Sequence, residues 1–265
     1  MLNRRKITVI ALLLLIIGVI GALMTYPSFA DIEPVMEEKV FNEAFTDIVV
    51  EADNSKIEII PSADTTAKVE FNFDTSNKSR YIFEADVKND ELKVKVKEKV
   101  LQFFNFDFHM KSFVTKIYLP EQTYNSIMAE TENGAVAIDN ITAISITGES
   151  TNGSVHLKRL AAEEITAETE NGKINFEAVA GELRGKTTNG RIEFETERIN
   201  QPIDFETVNG KIIIRTDEKP KNAEVHAEVV NGSISIFGEK NRHTVFGNGE
   251  NKIELTTVNG GITVE

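Results

Sequence analysis

The amino-acid sequence predicts an all-β protein, a β-solenoid (β-helix) preceded by one N-terminal transmembrane helix. Three observations lead to this prediction. A run of twenty uncharged residues lies near the N-terminus, the dipeptide Asn-Gly recurs along the rest of the chain, and apolar residues stand at fixed distances on both sides of seven of the Asn-Gly pairs. The first feature is typical of a membrane span, and the other two are typical of a repeat protein built from short strands.

The N-terminal segment has the length and charge pattern of a membrane anchor. Residues 7–26, ITVIALLLLIIGVIGALMTY, carry no charge, and a helix of about 20 apolar residues crosses a hydrocarbon core about 30 Å thick. Basic residues at 4–6 precede the run and acidic residues follow it, so the positive-inside rule leaves the N-terminus in the cytoplasm. We therefore predict a single-pass protein of the cell membrane, with a cytoplasmic tip and anchor at 1–26, a linker at 27–44 and an extracytoplasmic β-repeat domain at 45–265.

A cleaved signal peptide is the alternative interpretation of the same segment. Ser28-Phe29-Ala30 resembles the small-x-small pattern of a processing site. The apolar core of a signal peptide spans about 7 to 15 residues, and the run here is longer. Its length favours a retained anchor.

Seven Asn-Gly pairs mark the corners of the predicted repeat. They are Asn133-Gly134, Asn152-Gly153, Asn171-Gly172, Asn189-Gly190, Asn209-Gly210, Asn231-Gly232 and Asn259-Gly260. An apolar residue precedes each Asn by six positions, and Val or Ile follows each Gly by two positions. This alternation predicts two short strands per repeat, each with one buried face. Because Asn and Gly tolerate positive φ, we expect the corners to use that conformation.

Earlier parts of the chain extend the pattern. Residues 48–59, IVVEADNSKIEI, fit the repeat with Ser55 in place of Gly, and residues 83–94, FEADVKNDELKV, fit it with Asp90 in that place. AKVEFNF, from residue 67, is a further predicted strand. The phenylalanine-rich segment 101–119 is interpreted as a hydrophobic plug or the end of the first sheet layer.

Two architectures are consistent with these corners. Successive repeats are 19, 19, 18, 20, 22 and 28 residues apart, and a period near 20 residues is typical of a solenoid in which parallel strands stack like on like. Such a solenoid would have about seven to nine coils. The alternative is an antiparallel meander or sandwich in which every Asn-Gly forms a type I′ hairpin turn. We favour the solenoid because its stacking explains the apolar columns.

The repeat resembles a known family. The segment KIYLPEQTYNSIMAETENGAVAI, from 116 to 138, is followed by repeated T-x-N-G-x-[IV] corners and resembles the bacterial putative adhesin domains of unknown function. With its N-terminal span, the chain also resembles LiaG-type, membrane-anchored proteins associated with cell-envelope stress operons. The resemblance covers roughly residues 45–265. It implies a β-helical repeat fold at the cell envelope and brings no catalytic residues.

Composition and motifs exclude several classes of function. The net charge is −13 and the basic residues are scattered, which is unsuited to nucleic acid. The absence of cysteine excludes disulfides, thiolate metal sites and a cysteine nucleophile. No nucleotide-binding, zinc-protease, hydrolase or EF-hand motif is present, so we predict no catalytic residue, cofactor or metal site. We interpret four histidines as surface residues without an orienting carboxylate: His109, His156, His226 and His243.

One polar column merits attention as a candidate site. Three positions before the corner Asn, the repeats carry an acidic ladder interrupted by Lys186: Glu130, Glu149, Glu168, Glu206 and Glu228. Like charges stacked at about 4.8 Å repel one another. Solvent, together with Lys173, Arg191 and Lys211 just past the corners, could relieve that repulsion. The functional interpretation is that the ladder binds a divalent cation or a cationic component of the envelope.

The function predicted from these features is a non-enzymatic binding or scaffold module at the cell envelope, with an envelope protein or glycan as its partner. The LiaG-type resemblance implies a link to envelope stress. A surface adhesin is the first alternative. A polysaccharide-acting β-helix enzyme is the second. The outward column three residues past each Gly offers no paired carboxylates on neighbouring coils, as glycan hydrolysis would require.

Overall fold

A computed structural model describes residues 4–25, 34–74, 81–99 and 113–265. The chain divides into two units. The first comprises Met1–Val35 and Phe73–Lys78, and the second comprises Met36–Asn72 and Ser79–Glu265. The predicted phenylalanine plug, up to residue 112, lies outside the described residues.

The first unit contains helix α1, which spans Arg4–Thr25. Within α1, side chains are described for residues 11–21. Among the residues searched, all of them described ones, no helix combines the length and hydropathy that a membrane crossing needs. The predicted membrane span is thus not shown by the structure, and it stays a prediction.

The strands follow α1 along the chain. They are β1 (Pro34–Phe41), β2 (Asp47–Ala52), β3 (Ser55–Pro61), β4 (Ala67–Asp74), β5 (Tyr81–Lys88), β6 (Glu91–Glu98), β7 (Phe113–Leu119), β8 (Thr123–Thr131), β9 (Val136–Asp139), β10 (Thr142–Ser150), β11 (Val155–Lys158), β12 (Ala161–Thr169), β13 (Ile174–Glu177), β14 (Ala180–Thr187), β15 (Ile192–Thr196), β16 (Ile203–Asn209), β17 (Ile212–Thr216), β18 (Ala223–Ile236), β19 (His243–Phe246) and β20 (Asn251–Val264). β1 lies inside the segment 27–44 that we assigned to a linker, so ordered sheet begins earlier than expected.

Two parallel stacks of strands, joined at the corners, form the repeat domain. β8, β10, β12, β14 and β16 pair in parallel in the first stack. β9, β11, β13, β15 and β17 do so in the second. β18 and β20 are long enough to run through both stacks. Since the chain keeps one direction through successive layers, the solenoid is confirmed and the alternative meander is excluded.

Residues with the same place in the repeat stack directly on one another. Ile127 pairs with Ile146, and Ile146 pairs with Ile165. All three side chains are at most 1 % exposed. The column continues through Leu183, Ile203, Ile253 and Val225. Burying each such side chain contributes about 1.5–3 kcal/mol, so this column is a main source of the domain's stability.

Close approach of the backbone, not positive φ, explains the corner glycines, so the conformational reason given by the sequence is wrong. None of the seven corner asparagines has a positive φ, and among the corner glycines only Gly232 has one, at 159°. A Cβ on Gly172 would overlap the carbonyl oxygen of Gly153 and lie 2.6 Å from its carbonyl carbon. A Cβ on Gly190 would meet Gly172 in the same way. Each glycine leaves room for the carbonyl group of the neighbouring layer.

The corner asparagines form a continuous hydrogen-bonded ladder. Asn152 Nδ2 donates to Asn133 Oδ1 at 2.9 Å, and Asn171 Nδ2 donates to Asn152 Oδ1 at 2.9 Å. The same bond joins the remaining members of the ladder: Asn54 with Asn133, Asn171 with Asn189, Asn189 with Asn209, Asn209 with Asn259, and Asn259 with Asn231. Each amide is therefore held by its neighbour in the next layer.

The hydroxyl column two residues before the corner points inward. Thr169 Oγ1 donates to the Gly153 carbonyl oxygen at 2.9 Å, and Ser150 Oγ donates to that of Gly134 at 2.8 Å. Thr131, Thr187, Thr207 and Thr257 make the equivalent bond. The buried hydroxyls thus satisfy the corner carbonyls.

The predicted repeat at 83–94 is wrong, whereas the one at 48–59 is confirmed. β5 and β6 pair in antiparallel fashion, from Tyr81 with Glu98 to Lys88 with Glu91. Asn89 and Asp90, at φ 53° and 63°, form the connecting turn, which has the two left-handed residues typical of a type I′ hairpin. A hairpin reverses the chain, so this segment does not add a coil.

The order of layers departs from chain order at both ends. The first-stack strands lie in the spatial order β6, β2, β8, β10, β12, β14, β16, β20, β18. β6 belongs to the hairpin, and the other eight layers, from β2 to β18, agree with the predicted seven to nine coils. The C-terminal segment Gly260–Glu265 lies between β17 and β18. β18 is the outermost layer.

We expect Ala178→Gly to stabilise the domain. Ala178 has φ 51° and lies in the turn between two layers. Asn140 (φ 56°) and Arg159 (φ 50°) lie at the equivalent turns of earlier layers. A left-handed conformation costs a residue with a Cβ about 1–2 kcal/mol, and the greater freedom of unfolded Gly offsets about half of that. Thermal unfolding should show a gain of up to about 1 kcal/mol. Ala161→Gly, in β12, is the control and should lose stability.

Candidate functional site

The predicted acidic ladder lies on the outer face of the first stack. Glu130 pairs with Glu149, Glu149 with Glu168, and Glu168 with Lys186. The column extends to Glu51 beside Glu130 at one end, and at the other through Glu206 and Thr256 to Glu228. We call these positions the acidic column. The parallel register brings all the predicted residues into one row, but Thr256 separates Glu206 from Glu228.

Two members of the acidic column have lysine partners. Glu51 lies 3.2 Å from the Nζ atoms of both Lys93 and Lys95. Lys186 Nζ lies 3.2 Å from Glu206. No salt bridge to Glu130, Glu149 or Glu168 is present within the described residues. Three consecutive carboxylates therefore face solvent without a neutralising side chain.

The central member of this triplet is Glu149, and its pKa is raised. Burial, followed by the charges of Glu168 and Glu130, raises the pKa of Glu149 above its ordinary value of 4.5. The triplet borders a shallow cleft of about 280 Å³, whose other lining residues are Thr131, Ser150, Thr151, Thr169, Glu170, Lys186 and Thr188. The exposed hydroxyls of Thr151 and Thr188 can accept hydrogen bonds from an ammonium or hydroxyl group of a ligand.

The basic residues just past the corners do not neutralise the acidic column, contrary to one expectation. Lys173 pairs instead with Glu193, and Arg191 Nη1 lies 2.9 Å from Glu193. These side chains belong to the second stack, which faces another direction because the chain turns at the corner. Glu193 is only 6 % exposed, and the hydrogen bonds and charges of Lys173 and Arg191 outweigh its burial and lower its pKa. It has a structural role in this pairing.

Two histidines have carboxylate partners that the sequence did not indicate. His226 Nε2 lies 3.1 Å from Glu228, and His243 Nε2 lies 2.9 Å from Glu224. Their rings face each other with centroids 6.3 Å apart, because β18 and β19 pair in antiparallel fashion. Burial lowers the pKa of His156, which contacts Ser154 Oγ at 2.8 Å. His109 lies outside the described residues.

The described carboxylates and histidines are not arranged as a metal centre. Among those residues, no three such side chains converge closely enough to hold an ion. A row of carboxylates on a sheet presents its oxygens side by side, whereas calcium needs six to eight oxygen ligands around it. The column is better suited to an extended cationic ligand than to one buried ion.

Sequence comparison identifies the repeat domain. A profile of the Toastrack DUF4097 family, a domain of unknown function, matches residues 45–182 and 168–265. The chain belongs to this family. Both matches fall within the region where the Asn-Gly corners and the parallel stacks lie. The resemblance deduced from the repeated corners is therefore confirmed at the level of the family.

Several solved structures are similar to this Toastrack chain. A "putative cell adhesion protein" from Clostridium sporogenes is 19 % identical, with a TM-score of 0.40 over 88 % of this chain and 99 % of its own. A "putative adhesin" from Bacteroides fragilis is 13 % identical, with a TM-score of 0.48 over 87 % and 97 %. A "putative lipid binding protein" from Parabacteroides distasonis is 10 % identical, with a TM-score of 0.28 over 84 % and 97 %. Comparison with curated proteins gives no match.

We expect Glu149→Gln to stabilise the Toastrack domain in a pH-dependent way. The folded-state pKa of Glu149 lies above its ordinary value of 4.5, so the folded state holds the proton more tightly than the unfolded state. The wild-type domain therefore loses stability as the pH rises from 4.5 through the raised pKa. The uncharged glutamine avoids this loss. Thermal unfolding should give a higher midpoint for the variant near neutral pH and no difference below 4.5. Glu163→Gln, an exposed residue outside the column, should show no such divergence.

Proposed function

We propose that this Toastrack protein is a non-enzymatic binding or scaffold module held at the outer face of the cell membrane. The observation that carries the proposal is the acidic column, in which parallel stacking repeats a carboxylate from layer to layer. Glu130, Glu149 and Glu168 are its unneutralised part. A regular row of this kind suits an extended partner with several cationic groups, because each layer offers the same contact.

The N-terminal segment supports attachment to a membrane. Its uncharged run at 7–26 follows basic residues at 4–6, and the described side chains of α1 are exposed, as Leu14 (64 %), Leu15 (67 %) and Ile17 (65 %) show. An apolar helix exposed on all sides gains stability by entering lipid. The anchor would place the repeat domain outside the cell, beside envelope proteins and glycans. The proposed link to envelope stress comes from the LiaG-type resemblance.

The second-stack face supports binding rather than hydrolysis. In its outward column, Ala137, His156, Asn175 and Glu193 follow one another in register. Glycoside hydrolysis uses two carboxyl groups about 5 to 9.5 Å apart, and the one carboxylate in this group of four is already bound by Lys173 and Arg191. Turnover of a cell-wall glycan by the purified protein would overturn this assignment.

A titration of the full chain with a lysine oligomer and, separately, with calcium tests the proposed partner chemistry. The oligomer should raise the thermal midpoint of the wild-type protein, because binding to the folded state stabilises it. In the variant Glu130→Gln/Glu149→Gln/Glu168→Gln, the oligomer's affinity should fall about tenfold or more. Calcium at about millimolar concentration should have a smaller effect, since the row lacks a surrounding cage of ligands.

A charge-matched variant provides the control for that titration. Glu121→Gln/Glu163→Gln/Glu197→Gln removes the same number of charges at exposed positions outside the acidic column. It should bind the lysine oligomer almost as tightly as the wild type. Equal loss in both triple variants would show that net charge, and not the column, attracts the oligomer.

A further inference from the structure

The outermost layer of the solenoid has an open edge. β19 covers the beginning of β18, where Ala223 to His226 pair with Phe246 to His243, and Ala227 N donates to Arg242 O at 2.7 Å. At the other end, Ile236 bridges Glu239. Between these points, at residues 228–235, no strand among the described residues pairs with the outer side of β18. We call residues 228–235 the open edge.

The opposite end of the solenoid is covered. β5 pairs with β6 along its whole length, and β4 pairs in antiparallel fashion with β7. There Asn54 Nδ2 donates to Glu98 Oε2 at 2.6 Å, which terminates the asparagine ladder. At the open edge, Asn231 donates to Asn259, and its own Oδ1 accepts no hydrogen bond from the described residues. The opposite end therefore presents antiparallel strands instead of a repeat layer, so the two ends do not match each other in the parallel register of the solenoid.

The open edge has few of the features that protect natural edges. Such edges usually carry charges or proline, whereas Val229 to Ser235 read VVNGSIS and Glu228 is the one charged residue of the edge. Arg242 Nη2 donates to the Val229 carbonyl oxygen at 3.5 Å, a long contact that a pairing strand would replace. Val230 is 74 % exposed, and the column beside it continues with Val258 and Val208, each 36 % exposed. In earlier layers the same column is polar, with Glu132, Thr151, Glu170 and Thr188. Apolar side chains are thus exposed only in the layers of this column nearest the open edge.

We propose that two copies of the chain associate through their open edges about a two-fold axis. In an antiparallel register with Asn231 opposite Gly232 of the second copy, Val229 lies opposite Ile234, and Val230 lies opposite Ser233. The side chain of Val229 points inward (7 % exposed). Its partner Ile234 also points inward, because the alternation of inward and outward side chains reverses at the corner. Glu228 lies opposite Ser235, so no like charges oppose each other. The edge is therefore complementary to itself.

Disulfide formation tests this register, since the chain has no cysteine. In Val230→Cys/Ser233→Cys, each new cysteine would face its counterpart in the second copy, and mild oxidation of the full chain in detergent should give a covalent dimer. Thr151→Cys/Ser154→Cys is the matched control, at the equivalent corner of a layer that has neighbours on both sides. It should give about tenfold less dimer. Absence of dimer in the first variant, or equal amounts in both, would overturn the proposal.

The mass of the full chain in detergent provides an independent test. Light scattering should show a dimer for the wild type and a monomer for Val230→Lys/Ser233→Lys, because opposed lysines repel. Both positions are exposed, so the lysines should leave the fold and its circular dichroism unchanged, and the unfolding midpoint should fall only by the stabilisation that the dimer supplied. Thr151→Lys/Ser154→Lys should remain a dimer. A monomeric wild type contradicts the proposal, and so does a dimer unaffected by the edge lysines, since its contacts would then lie elsewhere.

Discussion

Gly190→Ala should destabilise the repeat domain by more than about 4 kcal/mol, an effect reserved for backbone strain or loss of a buried network. The new Cβ would overlap the carbonyl oxygen of Gly172 and lie 2.7 Å from its carbonyl carbon. Both atoms are backbone, so no side chain can move aside. The layers would have to separate at the corner, where Asn189 N donates to Glu170 O at 2.8 Å and Asn189 Nδ2 donates to Asn171 Oδ1 at 2.9 Å.

Denaturant unfolding of the full chain, followed by circular dichroism, measures this effect. Gly261→Ala is the matched control, because its Cβ would meet Ser233 O at 3.3 Å, a distance that small shifts relieve. It should change the free energy of unfolding by less than about 1 kcal/mol. Similar losses in both variants would show that close approach between layers is not what requires the corner glycines.

Phe205→Ala should cost about 3–5 kcal/mol, the usual range for removing a buried phenylalanine ring. The Phe205 ring stacks on Phe176 with centroids 5.2 Å apart and meets Phe194 edge-on at 6.4 Å. All three are fully buried. Phe205 also fills the space beside Gly185, where an added Cβ would lie 2.9 Å from Phe205 Cδ1. Truncation would therefore open a cavity between two layers.

Phe205→Leu is the control that the chain itself suggests. Leu255 occupies the same column in the next layer and pairs with Phe205. A leucine keeps most of the volume, so the loss should be below about 1.5 kcal/mol. Thermal or denaturant unfolding of the three proteins gives the comparison. An alanine variant as stable as the leucine variant would mean that the ring does not pack as described.

Much of the fold was predictable because the same side-chain contact recurs in every layer of a repeat protein. The six-before column, Ile127 with Ile146 and Ile165, pairs as predicted because identical layers have one low-energy register. The reason for the corner glycines was not predictable. Asn-Gly serves both a left-handed hairpin turn and a close approach of backbones, and only the neighbouring layer distinguishes them.

The structure of the two ends of the solenoid could not be predicted from the repeat pattern. Residues 83–94 have the right spacing, but Asp90 adopts the left-handed conformation of a hairpin, whereas Ser55 takes the place of a corner glycine. The spatial order of β18 and β20, which is the reverse of their order in the chain, was also not predictable, because both strands carry the same corner pattern. The 28-residue interval between Asn231 and Asn259, which contains β19, was the one available signal.

The candidate site was predicted in its position but not in its electrostatics. The Glu column follows from register alone, so Glu130, Glu149 and Glu168 lie together as expected. Lys173 and Arg191 bind Glu193 instead of that column because the corner turns them to another face. The pairing of His243 with Glu224 depends on the antiparallel β18 and β19 pair, which no local pattern indicated.

Methyl nuclear Overhauser effects in the full chain, labelled at isoleucine, test most directly whether successive layers stack in parallel. The parallel register predicts contacts from the Ile146 methyl groups to those of both Ile127 and Ile165. A hairpin at Asn152-Gly153 would instead place Ile146 opposite Arg159. Observation of both isoleucine contacts is the predicted result, and their absence would contradict the solenoid and the acidic column that depends on it.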